Sequence, residues 1–306
     1  MTSLHRRLIA VLLCLAAALP GGAAAADHAL LIGVSDYPAL PKRLWLRGPN
    51  NDVALMRSML LARGFEAAAV RTLVSRAGPA TEPTRANIVS AMYQLTQQVK
   101  PGDRVVLYLS GHGSQQPQPA TRGKRPAEPD GLDEVFLPAD VRMWDGLGAQ
   151  TAIPNALLDD EIGEWIDTLV DRGAAVWAIF DTCHAAGMAR GASRARWRAV
   201  SPAELGLVAP AGPVRASAST GRVDGRVLLH AARAHELTGE EWLPRGATMA
   251  RTRVHGVFTY HLATLWARSA GLTAGQVEQA LLNTYRTDGR ISPRPTVVGD
   301  RQLLLP

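Results

Sequence analysis

Short, uninterrupted apolar stretches alternate with amphipathic stretches along most of this 306-residue chain. The apolar stretches have the length and composition of strands that are buried on both faces. Between them, apolar positions recur every three to four residues and predict helices that begin at polar caps and end near Gly or Pro. The predicted strands are 28–34, 104–109, 174–180 and 227–232, and the predicted helices are 51–63, 84–99, 158–170, 256–268 and 273–285.

This alternation predicts an α/β fold in which a mostly parallel sheet lies between two layers of helices. Ligands of such folds bind at the carboxyl ends of the strands. We expect one domain over residues 27–306. The polar segment 114–133 should form a loop, and the aperiodic Ala-, Gly-, Pro- and Arg-rich segment 187–224 should form an exposed linker between a large and a small part.

The first 26 residues have the composition of a secretory signal peptide. Basic residues precede an apolar run over residues 8–20, and an Ala-rich exit follows, which indicates cleavage after Ala26. The alternative, a buried first helix, is disfavoured because no polar residue interrupts the run. We therefore expect a periplasmic or secreted protein without stable membrane association after the signal is removed. Its one remaining cysteine, Cys183, excludes an internal disulfide.

Charge and motif content exclude several function classes. The formal net charge is only +6 and aromatic residues make up 5% of the chain, so we expect no nucleic-acid partner. The chain contains no G-x-S-x-G, C-x-x-C or H-E-x-x-H motif. Serine hydrolases of the α/β-hydrolase type, dithiol redox proteins and zinc peptidases are therefore disfavoured.

Cys183 and His112 each follow a predicted buried strand, at the edge of the sheet where ligands bind. A cysteine nucleophile needs a nearby base and donors for an oxyanion. His112 suits the base, and the N–H groups of Gly113 and Cys183 are the candidate oxyanion donors. His184 is an alternative base, but adjacent side chains of an extended backbone point in opposite directions.

The residues around both side chains resemble a known family. Tyr108–Gln115 (YLSGHGSQ) and Phe180–His184 (FDTCH) are similar to the histidine and cysteine blocks of caspase-like peptidases, specifically the metacaspase and bacterial orthocaspase branch. Further blocks agree in order, at residues 31–34, 48–52, 130–134, 137–140 and 256–260. The resemblance spans roughly residues 29–305.

This resemblance implies a caspase-like sandwich with about six strands and a cysteine-type endopeptidase. His112 would be the general base, and Cys183 would form the acyl-enzyme. The implied substrates are proteins or peptides with Arg or Lys at P1, the residue whose carbonyl is attacked. Two alternatives stay open: a catalytically silent binding module with the same fold, and a cysteine transferase or esterase.

Three residues are candidates for the pocket that binds a basic P1 side chain. Asp181 lies two residues before Cys183, so both side chains lie on the same side of an extended strand end. A carboxylate there suits a substrate guanidinium. By the resemblance, Asp52 and Ser110 belong to the same pocket. Asp52 is equally well explained as the cap of the helix that follows it.

Cys/His chemistry requires no cofactor, but the resemblance adds calcium as a candidate. Asp133, Asp159 and Asp160 match three positions of the family's calcium-binding acids, and carboxylate oxygens suit Ca²⁺. The last two are also explained as an acidic first helical turn.

Exposed basic residues are candidate sites of self-cleavage, as the resemblance implies for an Arg-specific enzyme. A solvated basic loop is the alternative. The candidate residues are Arg122, Lys124, Arg125, Arg190, Arg194, Arg196 and Arg198.

Overall fold

A mixed sheet of six strands forms the centre of the computed structural model, which describes residues 25–118, 131–144, 146, 152–183, 196–207, 224–233 and 235–306. In chain order the strands are β1 (Asp27–Gly33), β2 (Val70–Val74), β3 (Arg104–Ser110), β4 (Gly113–Pro117), β5 (Leu132–Phe136), β6 (Leu157–Leu158), β7 (Ala175–Asp181), β8 (Arg196–Trp197), β9 (Arg226–His230), β10 (Gly239–Leu243), β11 (Arg253–Gly256) and β12 (Thr296–Gly299). The helices are α1 (Pro49–Ala62), α2 (Arg85–Gln98), α3 (Asp159–Asp171), α4 (Val257–Arg268) and α5 (Ala274–Thr287).

The central sheet has the order β12-β9-β7-β3-β1-β2, and every pair is parallel except β12 with β9. The inner strands β1, β3 and β7 have apolar centres because both faces of the sheet are covered. In β3, Val105 and Leu107 pack into one core cluster, whereas Val106 and Tyr108 pack into the other. Helices α2 and α3 supply the first cluster, and α1, α4 and α5 supply the second. The predicted α/β sandwich of about six mostly parallel strands is confirmed.

The parallel pairing of β3 with β7 fixes the geometry of the site. Ser110, the last residue of β3, lies opposite Asp181, the last residue of β7. The segments that follow β3 and β7 therefore leave the sheet next to each other. His112 and Cys183 each come two residues after this pair, so the sheet register brings both candidate residues to one edge.

Two expectations about irregular segments are wrong for the parts of those segments that the structure describes. Residues 114–133 were expected to form a loop, but β4 and β5 pair with each other at its two ends, and β5 continues to β6. Residues 187–224 were expected to form an exposed linker. The part of it that the structure describes, 196–207, instead enters the molecule: Arg198, Val200 and Leu205 are all fully buried. Val200 and Leu205 belong to the core cluster that α2 and α3 cover.

A second small sheet of order β11-β10-β8 lies beside the site. Strand β8 is only two residues long and pairs antiparallel with β10, placing Trp197 opposite Gly239 and Arg196 opposite Glu240. It carries the buried part of the linker to the carboxyl edge of the central sheet.

Most of the predicted signal peptide lies outside the described residues. Among the residues that the structure does describe, none of the helices is long and apolar enough to cross a membrane.

Candidate active site

His112 is held rigidly in the loop between β3 and β4. Its backbone N–H donates to the Tyr37 hydroxyl at 2.8 Å, and the Tyr37 ring packs against the imidazole. Its Nε2 lies 2.6 Å from the Leu44 carbonyl oxygen. Since a carbonyl only accepts hydrogen bonds, Nε2 carries the hydrogen and Nδ1 is the basic nitrogen. Nδ1 is buried and has no hydrogen-bond partner among the described residues.

Cys183 is buried just beyond β7. Its Sγ donates to the Thr238 carbonyl at 3.3 Å and accepts from the Thr238 N–H at 2.8 Å. Burial raises the pKa of this thiol to about 12, and burial lowers the pKa of His112 to about 4. In this closed arrangement both side chains are therefore neutral at physiological pH.

The backbone of Arg198 lies between the two loops that carry His112 and Cys183. Its carbonyl oxygen accepts from the Gly113 N–H at 3.1 Å and from the Cys183 N–H at 3.2 Å. These are the two donors expected from the sequence to hold an oxyanion. On the other side, the Arg198 N–H donates to the Thr238 carbonyl at 3.0 Å. One peptide group is thus fixed from both sides at the carboxyl edge of the sheet.

The Arg198 side chain fills a fully buried polar pocket. Its Nη2 lies 2.5 Å from Asp52 Oδ2, and its Nη1 lies 3.1 Å from Asp181 Oδ2. Nη1 also donates to the Ser110 hydroxyl at 2.6 Å and to the Asp181 carbonyl at 3.0 Å. The three residues proposed from the sequence as a pocket for a basic side chain therefore all contact one guanidinium group.

Asp52 is positioned by β11 rather than by the start of its own helix. Its Oδ1 accepts from His255 Nδ1 at 3.0 Å and from the Gly256 N–H at 3.0 Å, which leaves Oδ2 to face the guanidinium. The cap of α1 is Gly48, and no side chain caps this helix. The helix-cap explanation of Asp52 is therefore wrong.

Asp181 is positioned by the first turn of α4. Its Oδ2 accepts from the Thr259 hydroxyl at 2.5 Å and from the Thr259 N–H at 3.2 Å. Its Oδ1 accepts from the Thr238 hydroxyl at 3.4 Å. Burial raises the pKa of Asp181, and the Arg198 charge opposes that rise. The helix N-terminus and the guanidinium together favour the ionised form.

Two glycines leave room for the guanidinium. A Cβ on Gly256 would lie 2.1 Å from Asp181 Oδ2 and 2.7 Å from Arg198 Nη2. A Cβ on Gly48 would lie 2.8 Å from Arg198 Nη2 and 2.9 Å from Glu240 Oε2. Both positions therefore require glycine for close approach rather than for an unusual backbone conformation.

Glu240 is a further acid beside the pocket. It accepts from the backbone N–H groups of Arg47 and Gly48, which fixes the loop before α1. Burial raises its pKa, and the Arg198 charge opposes this effect. The pocket is therefore lined by three acidic side chains: Asp181 from β7, Asp52 from α1 and Glu240 from β10.

The acids expected to bind calcium lie on β5 and at the start of α3, and none of them contacts Arg198 in the pocket described above. Asp133 is in β5, and Asp159 and Asp160 open α3 directly after β6, the strand paired with β5. Across the described part of the chain, however, no three acidic, histidine or cysteine side chains are gathered closely enough to hold a metal ion. The residues present do not form a ready calcium site, and no chemical step is assigned to a metal.

Sequence reasoning missed four residues of the site. Thr238 precedes β10, Glu240 is in β10, His255 is in β11 and Thr259 is in α4. Thr259 lies in the family-like block 256–260, but that block did not indicate its contact with Asp181. His255 contacts Asp52 from β11, and its surroundings in the sequence give no sign of this role. The rival base His184 lies outside the described residues.

Comparison with known proteins places the chain in a family. The family model "Metacaspase, peptidase C14 domain" matches residues 27–190. Metacaspase-1 of Plasmodium falciparum is 31% identical over 160 residues, which are 51% of this chain and 23% of that protein. Metacaspase-2 of Arabidopsis thaliana is 33% identical over 159 residues, 51% of this chain and 34% of that protein. The chain thus spans well under half the length of these relatives.

A solved structure shares the fold over nearly the whole chain. The crystal structure of a Geobacter sulfurreducens protein has a TM-score of 0.57 and 20% identity, and the match covers 89% of this chain and 91% of that one. At this identity the likeness shows the fold alone. The family match covers more than half of the chain and includes both His112 and Cys183. This chain belongs to the metacaspase peptidase C14 family.

Proposed function

We propose that this protein is a cysteine endopeptidase that cleaves protein or peptide substrates after Arg, and less efficiently after Lys. The observation that carries the proposal is the position of Arg198. Its carbonyl oxygen lies on the Gly113 and Cys183 N–H groups while its guanidinium lies between Asp52 and Asp181. A substrate with Arg at P1 would make the same contacts.

His112 and Cys183 carry out the reaction in this proposal. His112 Nδ1 takes the thiol proton, because Nε2 is committed to the Leu44 carbonyl. Sγ then attacks the P1 carbonyl carbon, and the Gly113 and Cys183 N–H groups hold the oxyanion. The imidazolium gives its proton to the leaving amine. A water activated by the same nitrogen hydrolyses the thioester and restores the thiol.

Entry of a substrate changes the electrostatics that keep the dyad neutral. The pKa values of Cys183 and His112 are shifted in opposite directions because both groups are buried under the linker. Transfer of the proton creates a thiolate–imidazolium pair, and each charge stabilises the other. The Leu44 carbonyl orients the ring, a role that a carboxylate performs in other enzymes.

The pocket favours Arg over Lys and excludes acidic P1 residues. A planar guanidinium reaches Asp52, Ser110 and Asp181 at once, whereas a single ammonium on a shorter stem does not reach all three. An acidic side chain would face two buried carboxylates without a counter-charge. Arg, then Lys, then neutral and acidic residues is the expected order of kcat/KM.

Fluorogenic peptides that differ only at P1 test this proposal. The rates of hydrolysis of peptides with Arg, Lys and Asp at P1 are measured for the wild-type chain. The same rates are measured for Cys183→Ala and His112→Ala. We expect hydrolysis after Arg that both substitutions abolish. Hydrolysis after Asp would overturn the assignment of the pocket. Absence of hydrolysis under every condition, with the fold intact, would favour the catalytically silent binding module.

The cysteine esterase or transferase alternative is disfavoured by the charge of the pocket. Neither reaction requires two buried carboxylates beside the acyl site. Two simple esters, one with Arg at P1 and one with a neutral residue at P1, distinguish the alternatives. Equal kcat/KM for both esters would favour the esterase or transferase.

Export from the cytoplasm is the second part of the proposal. It is supported by the composition of residues 1–26 and by the position of Asp27, the first residue of β1. The mass of the protein recovered from the periplasm or the medium should correspond to a chain that begins at Asp27. Recovery of full-length protein from the cytoplasm alone would contradict this assignment.

A further inference from the structure

One loop, residues 37–46, holds His112 at two points. At the backbone, the His112 N–H donates to the Tyr37 hydroxyl at 2.8 Å. At the ring, Nε2 donates to the Leu44 carbonyl at 2.6 Å. Both partners belong to the segment between β1 and α1. The conformation of this loop therefore decides where the imidazole lies and which of its nitrogens carries the hydrogen.

The Leu44 carbonyl is a weaker partner for the ring than a carboxylate would be. A neutral acceptor attracts the imidazole N–H less strongly than an ionised one, such as the aspartate that orients the histidine of many hydrolases. The ring therefore keeps its orientation only if Leu44 is itself held in place. If the carbonyl moved away, the hydrogen could shift to Nδ1, and Nδ1 could then not accept the thiol proton.

The backbone around Leu44 gives this carbonyl little support. Lys42–Leu44 form a single 3₁₀ turn without a side-chain cap, and the Leu44 N–H donates to the Pro41 carbonyl at 2.9 Å. Residues 41–43 are exposed. A single exposed turn of this kind is weak in isolation. The position of Leu44 therefore depends on side-chain contacts between the loop and the rest of the molecule.

Trp45, the residue after Leu44, supplies such a contact. Its indole Nε1–H donates to the Tyr37 carbonyl at 2.9 Å, which closes the loop from one end to the other. The side chains of Trp45 and Leu44 are partly buried and pack against the core cluster that contains Tyr37 and Leu40. The indole thus ties the end of the loop that carries the Leu44 carbonyl to the end that is fixed in the core.

Tyr37 joins the two contacts that hold His112. It is fully buried, so its hydroxyl and its carbonyl are fixed relative to each other. The hydroxyl accepts from the His112 N–H, and the carbonyl accepts from the Trp45 indole. Gly111 leaves room for this approach, because a Cβ there would lie 3.0 Å from the Tyr37 hydroxyl oxygen.

We propose that Trp45 and Tyr37 are positioning residues that lock the loop 37–46, so that the Leu44 carbonyl keeps the His112 hydrogen on Nε2 and leaves Nδ1 free to take the thiol proton. This inference rests on the proposed function, in which His112 is the general base. It assigns the orienting role to two aromatic side chains that hold a loop, rather than to an acidic side chain.

Two conservative variants and two matched controls test the proposal. Trp45→Phe keeps an aromatic ring and removes the N–H that closes the loop, and Tyr37→Phe removes the acceptor of the His112 N–H. Trp165→Phe is the control for the first, since Trp165 packs against the same core cluster from α3. Tyr93→Phe is the control for the second, since Tyr93 is exposed on α2. Circular dichroism establishes that each chain is folded.

The first measurement is ¹⁵N NMR of the imidazole groups at neutral pH, which shows which ring nitrogen carries the hydrogen. It uses the wild-type chain and each variant, and His112→Gln identifies the His112 signals. Wild type, both controls and Tyr37→Phe, which keeps the ring contact with Leu44, should have the His112 hydrogen on Nε2. Trp45→Phe should give a mixture of the two tautomers. This readout does not require peptidase activity.

The second measurement is hydrolysis of a P1-Arg peptide in the Arg198→Gln background, where the chain's own guanidinium does not fill the pocket. Trp45→Phe and Tyr37→Phe should each lower kcat about 5- to 50-fold, which is less than the ~10²–10⁴-fold that a general base supplies. KM should change by no more than about twofold, because the contacts with the P1 side chain are kept. Asp52→Asn in the same background should act mainly on KM. Both controls should leave kcat and KM unchanged.

A folded Trp45→Phe chain that keeps the His112 hydrogen on Nε2 alone would overturn the inference, whatever its rate. Unchanged kcat, or an effect on KM alone, would also overturn it. If Trp45→Phe does not fold, Tyr37→Phe decides the question by the same comparison of kcat with KM. In each of these cases Cys183-dependent hydrolysis after Arg leaves the proposed function standing. If no variant hydrolyses the peptide, the proposed function fails, whereas the tautomers still show whether Trp45 holds the ring.

Discussion

Neutralising Asp52 should reduce recognition of P1 Arg while keeping the hydrogen bonds that Oδ1 accepts. Asp52→Asn keeps an oxygen for His255 and Gly256 at the Oδ1 position and replaces Oδ2, the atom 2.5 Å from the guanidinium, with an amide NH₂. Oδ2 also accepts from the Ser110 hydroxyl and the Gly256 N–H, both at 3.2 Å, and these weaker contacts change with it. Loss of one partner of a buried, hydrogen-bonded charge pair costs ~2–4 kcal/mol. We therefore expect kcat/KM for a P1-Arg peptide to fall roughly 30- to 1,000-fold.

A peptide with citrulline at P1 shows whether charge is the cause, since citrulline has the shape of arginine without its charge. In the Arg198→Gln background, where the chain's own arginine does not compete, Asp52→Asn should change citrulline turnover by no more than about threefold. Asp103→Asn is the matched control. Asp103 is also buried and hydrogen-bonded, but it precedes β3 at the opposite edge of the sheet. Equal losses for arginine and citrulline would refute charge recognition by Asp52.

Three further predictions concern space, pH and metal. Gly256→Ala places a Cβ 2.1 Å from Asp181 Oδ2 and should lower the rate of P1-Arg hydrolysis at least 100-fold. Gly275→Ala is the control, because the nearest atom to its Cβ is 3.4 Å away, and it should leave the rate unchanged. Burial lowers the pKa of His112 to about 4, so the unfolded chain binds the extra proton. The free energy of unfolding should fall as the pH decreases from 6.5 to about 4, and His112→Gln should remove this part of the slope in denaturant titrations. P1-Arg hydrolysis should survive chelation, and a loss that calcium restores in the wild type but not in Asp159→Asn would show that the acids at the start of α3 bind the ion.

The fold was predictable where the hydrophobic pattern is continuous. The buried strands β1, β3, β7 and β9 and all five helices agree with the apolar runs and helical periodicity of the sequence within a few residues. Eight strands were missed: β2 and β12 at the two edges of the central sheet, and the short strands β4, β5, β6, β8, β10 and β11. Their residues are polar or mixed, or the strands are short, since they lie at the sheet edges, at the site or in a small sheet rather than in the centre of the core.

The candidate site was predictable where a side chain follows a buried strand. His112, Cys183 and Asp181 lie at the ends of β3 and β7, and the parallel register of those strands brings them together. Thr259 and His255 support the pocket from elements far away in the chain. Such contacts depend on tertiary packing, and no local spacing reveals them.

The linker shows how composition alone can mislead. Its Ala, Gly, Pro and Arg content is typical of exposed segments, and charged residues are rarely fully buried unless they are paired. Arg198 is buried because Asp52 and Asp181 pair with it. The complementarity between the pocket and the linker is a property of the fold, so neither sequence segment indicates it alone.

The most direct test of this account is labelling by a peptidyl chloromethyl ketone with Arg at P1, followed by mass mapping of the adduct. In Arg198→Gln we expect one adduct, on Cys183, formed much faster than with a P1-Asp reagent. Equal labelling by the Arg and Asp reagents, or an adduct elsewhere than Cys183, would contradict the account.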